Sequence, residues 1–465
     1  MSQLSVSTTD VAKEHHILKS IAFDSLPARH SAVREAHRET FEWVFKEDSH
    51  NTSTRTVTGC GNLIAWLKHG NGTFWISGKP GSGKSTLMKF IADHDSTVQA
   101  LTAWSHPHPP VIARHYFWSA GTSMQKSLQG LLQTLLFDIF RQQSDLIELA
   151  CAERWPEPPE VLKLKPWKVP ELHRILQKIG GWESLRVKMC FFIDGLDEYE
   201  GDHVDFCKIL KDLSASPNLK LCISSRPWNV FEDSFGRSDS SKLYVHELTR
   251  SDIRSYAEQR LHEHPRWHDL EVPPELSTWL VDQITERAAG VFLWVFLVTR
   301  ELRSGLTEYD SFSDLQRRLE AIPTDLGVFF RQILESVEPF YHGKMATTLL
   351  MALAARRSAS VELYSFQDLE HEDEHYALRM PIQHLGDQEA SVRQQKVSRQ
   401  LRGRCRGLLE VDSTTRRVEF LHRTVVDFLR TSEMTNFLRE KSASGFNASL
   451  ALLRAYIACI KTTQY

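Results

Sequence analysis

The chain has 465 residues, 41% of them hydrophobic and 25% charged, with a formal net charge of −3. That length exceeds one ordinary core and suggests about three domains of a globular protein, while the charge balance makes no electrostatic case for a nucleic-acid or membrane surface. The seven cysteines are odd in number and nowhere arranged as CxxC, which argues against a disulfide framework or zinc ribbon and for a reducing, cytoplasmic setting.

Residues 1–55 read as a partly helical segment and linker, anchored by Ile17, Ile21 and Phe23 and then by Phe41, Trp43, Val44 and Phe45. Asp48 to Gly61, rich in Ser, Thr and Asn, reads as a connecting loop. The amino terminus has no charged lead before an apolar core, so no secretory signal is expected and the sequons at Asn51, Asn71 and Asn447 are coincidences of composition. Thr73–Ser77 then reads as a buried strand running into Gly78-Lys-Pro-Gly-Ser-Gly-Lys-Ser-Thr86, a GxxxxGK(S/T) loop. Leu87, Phe90 and Ile91 follow at helical spacing, so the loop joins a strand to a helix.

Strand patterns recur at Arg114–Trp118, Val187–Ile193, Leu219–Ser224 and Leu243–Val245, with a core helix from Leu128 to Phe140 between the first two. This alternation predicts an α/β fold, a three-layer sandwich with a parallel sheet. Cys190 and Cys222 lie inside strands, where a thiol is a small buried hydrophobe. From Thr249 the pattern is helical, and the apolar run Ala288–Val298 is too short to span hydrocarbon and reads as one buried helix. Leu408–Val411 and Arg417–Leu421 form a hairpin about a polar turn, which with flanking helices predicts a winged helix. A last amphipathic helix is expected from Asn447. The expected organisation is a P-loop NTPase domain over 56–247, a helical domain over 248–325, a winged-helix-like domain over 326–436 and a C-terminal helix in 437–465.

The loop carries the chemistry. Gly78, Gly81 and Gly83 allow positive-φ turns that point successive N–H groups inward, and the following helix adds the positive end of its dipole, so a nucleoside triphosphate is the natural guest. Gly78, Pro80, Gly81, Ser82, Gly83, Lys84, Ser85 and Thr86 are the expected binding residues, with Lys84 reaching the outer phosphates and the Ser85 hydroxyl on Mg2+. The strand Met189–Ile193 delivers Asp194 to its carboxyl end, where open α/β sheets bind ligands, as a second magnesium holder. Asp197 and Glu198 follow closely enough to orient or activate a water. Arg226, at the end of the fourth strand, is placed to report a terminal phosphate with paired donors. No NKxD guanine-reading motif is present, which favours ATP and ADP over the guanine nucleotides.

The segments Phe74–Met88 and Phe191–Glu198 resemble those of fungal NACHT-type signalling ATPases of the STAND class, the group that includes NOD-like receptors. Gly195, a small residue directly after the magnesium aspartate, fits the NACHT variant of the second motif. Thr40-Phe-Glu-Trp43, Ser224–Pro227, Leu248–Ile253 and Gly290–Val295 are similar to further segments of these proteins. Phe420–Phe428 resembles their winged-helix motif, whose histidine, here His422, touches the diphosphate in the closed state. The resemblance spans roughly residues 17 to 460 and implies a switch closed with ADP, opened by ATP into a self-associating homo-oligomer, reset by slow hydrolysis, and coupled to protein signalling partners. Receptors of this class carry an effector domain before and a repeat sensor after the core, so the chain reads as a fragment or a stand-alone switch. The rival readings are a P-loop enzyme such as a kinase or nucleic-acid-stimulated ATPase, and an interaction module without turnover.

Three further signals are weaker. His371-Glu-Asp-Glu-His375 matches HExxH but sits in acidic surroundings near a helix stop, without a third ligand at a family spacing. His262, His264 and His268 read as a solvated loop. The basic residues from Arg393 to Arg406 alternate with Val397, Leu401 and Cys405 as on the polar face of a packing helix, so nucleic acid is not an expected partner.

Overall fold

Alternating side chains along five strands build two apolar cores, one on each face of a parallel sheet, in this computed structural model. The structure describes residues 2–23, 33, 40–45, 60–119, 121–181, 187–355, 358–383 and 385–462. Most of the expected 48–61 connection, with the Asn51 sequon, lies outside them. The strands are β1 (Gly72–Ser77), β2 (Val111–Tyr116), β3 (Met189–Asp194), β4 (Leu219–Ser225) and β5 (Lys242–Tyr244), ordered β2-β3-β4-β1-β5. Because strand side chains point alternately to opposite faces, Trp75, Phe191, Ile193, Leu221 and Ile223 meet helices Leu128–Gln142, Val169–Gly181 and His203–Ser214 on one face. Phe74, Ile76, Cys190, Phe192 and Cys222 meet helices Cys60–His69, Lys84–Asp93 and Asp95–Ser105 on the other. The result is the three-layer α/β sandwich. Both cysteines are wholly buried, and burial pushes the Cys190 thiol up to about 12.

Two expectations need correction. The second strand begins at Val111, directly after Pro109 and Pro110, and ends at Tyr116; Phe117 still donates its N–H to the Asp194 carbonyl of β3 at 3.0 Å, and Trp118 lies beyond the strand. The apolar run Ala288–Val298 is not one helix. Helix Pro274–Ala288 stops at Ala289 and Gly290, with φ of 46° and 82°, and a new helix spans Phe292–Thr307. Apolar composition concealed this break because residues 288–298 are all apolar or glycine. These two helices and Arg250–His262 pack on one another.

The chain divides into two units, residues 1–319 and 320–465. In the second, β6 (Ala359–Ser360), β7 (Leu409–Val411) and β8 (Arg417–Phe420) form an antiparallel sheet ordered β6-β8-β7. With helices His342–Ala354, Asp387–Arg404 and Arg423–Leu429 this is the expected winged-helix arrangement. β6 has two residues, too few for any periodic signal. The last helix, Ala448–Thr462, buries Leu452, Ala455 and Ala458. Among the described residues, no helix is long and apolar enough to cross a membrane.

One buried charge ties the sheet to its helices. Lys220 of β4 is wholly buried, donates to the carbonyls of Trp66 (2.7 Å) and Leu67 (2.8 Å) in the last turn of helix Cys60–His69, and lies 4.2 Å from the Trp104 ring centre. Burial pulls its ammonium down to about 8. Between there and the ordinary lysine value of 10.5 the unfolded chain binds more protons than the folded one, so the Lys220 contribution to stability rises with pH across that window. Lys220→Met is therefore expected to lose a gain of about 2 kcal/mol between pH 8 and 10, read as the wild-type minus variant difference in chemical denaturation.

Candidate nucleotide site

Strand register assembles the site. Ser77 of β1 pairs with Ser225 of β4 and Tyr244 of β5, while Ile223 of β4 pairs with Ile193 of β3, so four strands end at one level. The 78–83 loop leaves β1 there and enters helix Lys84–Asp93 at Gly83, whose φ is 93° and which gives no side-chain cap. The first N–H groups of that helix have no intrahelical acceptor and carry the positive end of its dipole. Gly81 has φ of 73°. A Cβ on Gly78 would stand 2.6 Å from Ser82 Oγ, and one on Gly81 2.8 Å from Leu293 Cβ, so side chains would fill the cradle. Ser82 Oγ is buried with no hydrogen-bond partner among the described residues. Uncapped amides, a partnerless hydroxyl and glycine-only turns fit a polyphosphate. Pro80, expected among the binding residues, has no N–H to give and can only shape the turn.

Lys84 Nζ donates to the carbonyls of Gly78 (2.7 Å) and Lys79 (3.0 Å), which holds the ammonium within the loop. Its charged neighbours are Asp197, Asp194, Arg226 and Glu198, and burial pulls it down to about 8 against the pull of the three carboxylates. The structure thus brings together Lys84 and the acidic and basic residues expected from the later strands. Asp194, 1% exposed at the end of β3, accepts a hydrogen bond from the Ser224 hydroxyl, which in turn accepts from the Gly195 N–H at 3.0 Å. Asp197 accepts from the Arg226 N–H at 3.0 Å and pairs with its Nε at 3.1 Å, so it orients that guanidinium. Glu198 accepts from the Ser119 N–H at 2.7 Å. Ser85 and Thr86 occupy the first turn of the loop's helix. A Ser85 hydroxyl and an Asp194 carboxylate are hard oxygen donors of the kind magnesium takes alongside phosphate oxygens.

Two sequence-distant segments wall the loop: Gly290–Val295, which resembles the helical-domain motif beside the nucleotide in the NACHT group, and the Phe41 segment, to which the motifs gave no role. Leu293 N–H donates to the Gly81 carbonyl at 3.0 Å, and Lys79 Nζ to the Ala289 carbonyl at 3.2 Å. On another side Phe41, at φ of 68°, lies with its ring centre 6.1 Å from both Phe90 and Phe292, and a Cβ on Gly83 would stand 3.3 Å from it. Asp252, 6% exposed, holds this strap by accepting from Phe41 N–H (3.1 Å) and Trp43 Nε1 (2.6 Å).

Other candidates lie elsewhere. His422 caps helix Arg423–Leu429 in the second unit, its Nδ1 accepting from the Thr424 N–H at 3.1 Å. Helix Gln367–Glu372 ends before His375, so the HExxH histidines do not share a helical face, and His371 bonds Thr347 Oγ1 at 3.0 Å. The expected histidine loop is helical: His262 ends Arg250–His262 and His264 caps Pro265–Asp269, accepting from the Arg266 N–H. Along Asp387–Arg404 two of the basic residues serve packing, Arg393 stacking 4.3 Å from the Phe366 ring centre and Arg404 pairing with Asp368 at 3.1 Å, while Lys396, Arg399 and Arg402 are exposed.

Residues 28–226 match the family model described as nephrocystin 3, N-terminal, and residues 336–465 match a domain of unknown function, DUF7791. Residues 28–226 are thus a NACHT-type P-loop region similar to the N-terminal part of nephrocystin 3. No curated protein matches it. Among solved structures it is similar to a chain of the Drosophila ORC bound to DNA, at 12% identity over 80% of this chain and 94% of that one, with a TM-score of 0.34. It is also similar to the Aeropyrum pernix ORC1 protein in complex with DNA, at 14% identity over 81% and 91%, with a TM-score of 0.30. A Walker-type ATPase of Pyrococcus abyssi aligns at 14% identity over 80% and 94%, with a TM-score of 0.32. The loop geometry described above, in a P-loop fold, implies nucleotide binding.

Removing the Asp252 carboxylate leaves a buried N–H and a half-buried indole N–H without this acceptor. Asp252→Ala is expected to cost about 3 kcal/mol in urea denaturation and to shift Trp43 fluorescence, with Trp43→Phe costing about half as much.

Proposed function

We propose that this NACHT-like NTPase is a nucleotide-operated signalling switch that binds and slowly hydrolyses ATP, closed with ADP and open and self-associating with ATP. The observation that carries the reading is the convergence of Asp194, Asp197, Glu198 and Arg226 on Lys84 within a glycine-turned loop. A site built only to hold a diphosphate has no use for a guanidinium held by a buried carboxylate beside the lysine. Arg226, aimed by Asp197, contacts the terminal phosphate and so distinguishes triphosphate from diphosphate. Glu198 orients the attacking water, and loop amides with Lys84 stabilise the charge that develops on the transferred group.

Ser85 and Asp194 would hold magnesium, which supplies charge neutralisation between the outer phosphates. His422 contacts the diphosphate in the closed form, a role that follows from the family resemblance. The domain limits belonging to this reading are 56–247, 248–325, 326–436 and 437–465. Nucleotide acts through its differential affinity for the two forms. The active form is a homo-oligomer in the cytoplasm that engages signalling proteins, as in fungal incompatibility and innate-immunity NTPases.

The test is to identify the co-purifying nucleotide and then measure mass by light scattering in ADP and in a non-hydrolysable triphosphate. The expected result is bound adenine nucleotide, larger particles with the triphosphate, and loss of both in Lys84→Ala. Equal mass in both nucleotides would refute the switch.

A further inference from the structure

Beyond Tyr244 the chain leaves β5 next to the phosphate loop, because Tyr244 is the register partner of Ser77 and the two strands run parallel. Val245 Cβ lies 3.3 Å from where a Cβ on Gly78 would stand, so His246 follows alongside Lys79. From the other side Gly290, at φ of 82°, presses on the His246 backbone; a Cβ there would stand 2.0 Å from the His246 carbonyl oxygen. The same segment receives Lys79 Nζ on the Ala289 carbonyl. His246 is thereby caught between the loop and the 289–293 segment.

The charged groups facing its imidazole are Lys79 from the loop, Lys84 from the loop's helix and Glu247 from its own turn. Ala289, Gly290, Val291, Phe292 and Leu293 bring no titratable side chain. Tyr244 meets the ring edge-on at 6.1 Å. Nδ1 is buried and has no hydrogen-bond partner among the described residues. Burial and the two lysines hold the imidazole below its ordinary value and favour the neutral form. An arriving polyphosphate reverses the sign of that field and offers acceptor oxygens to an imidazolium.

We propose that His246 is a further positioning residue of the nucleotide site, taking up a proton as the polyphosphate seats in the loop and adding a third cation beside Lys79 and Lys84. This rests on the nucleotide reading above. A group neutral in the free chain and charged in the complex makes binding tighter as pH falls, so ADP affinity increases about threefold to tenfold from pH 7.5 to 6.

The direct test uses the wild-type full chain. Exchange of the His246 ring C2 hydrogen, followed by mass spectrometry across pH with and without Mg-ADP, gives its titration midpoint in each state. The expected midpoint rises by about one pH unit or more with ADP, and calorimetry at pH 6.5 in two buffers of different ionisation enthalpy shows more proton uptake for wild type than for His246→Gln. Binding of ADP with an unmoved midpoint overturns this inference and leaves the nucleotide reading standing. No binding of ADP by the wild type overturns both.

Discussion

The register of β4 against β1 and β3 is the constraint on which the rest of the site depends. Ser77, Asp194 and Ser225 are remote in sequence, and only the in-phase pairing of Ile76 with Ser224 and of Ile223 with Ile193 places them at one edge of the sheet. A one-residue slip of β4 would exchange the faces of Cys222 and Ile223 and carry Ser224 away from Asp194. That slip is resisted because both faces are buried, so each strand has an apolar side chain to lose on either side. Packing in the two cores is thus what holds the hydroxyl of Ser224 on the Asp194 carboxylate and Arg226 on Asp197.

The loop itself is held from outside. Its Gly81 carbonyl receives Leu293 N–H, its Lys79 reaches Ala289, and Phe41 lies against Gly83, with Asp252 tying the strap that carries Phe41. These contacts join the helical region after the sheet to the segment before it, through the loop. A change in the loop's shape on exchanging one nucleotide for another therefore has neighbours to push against, which is the physical requirement for a nucleotide to bias a larger rearrangement.

Local chemistry was legible in the sequence and distant chemistry was not. The loop announced itself because strand, glycine turns, lysine and helix are contiguous, and the strands at 72–77, 189–194 and 219–225 because their apolar runs are long and bounded. The winged helix was readable from its hairpin, although β6 was too short to leave a pattern. The break at Ala289–Gly290 was hidden because residues 288–298 are all apolar or glycine, and an unbroken apolar run carries no periodicity that marks a helix end. Asp252 was quoted within a similar segment, but its bonds to Phe41 and Trp43 span more than 200 residues. No local pattern encodes such a contact. The same holds for Asp197, which in sequence is one of an acidic pair and in the fold is the carboxylate that orients Arg226.

The central claim is that the amides of the 78–86 turn, held in place by the sheet and by the 289–293 segment, grip the polyphosphate. Amide hydrogen exchange of the full chain with and without ADP reads this directly. The account predicts that ADP slows exchange most strongly in peptides covering residues 78–86, with a smaller effect at 289–293. Saturating ADP that leaves the 78–86 amides exchanging as before, while protecting another region, would contradict it.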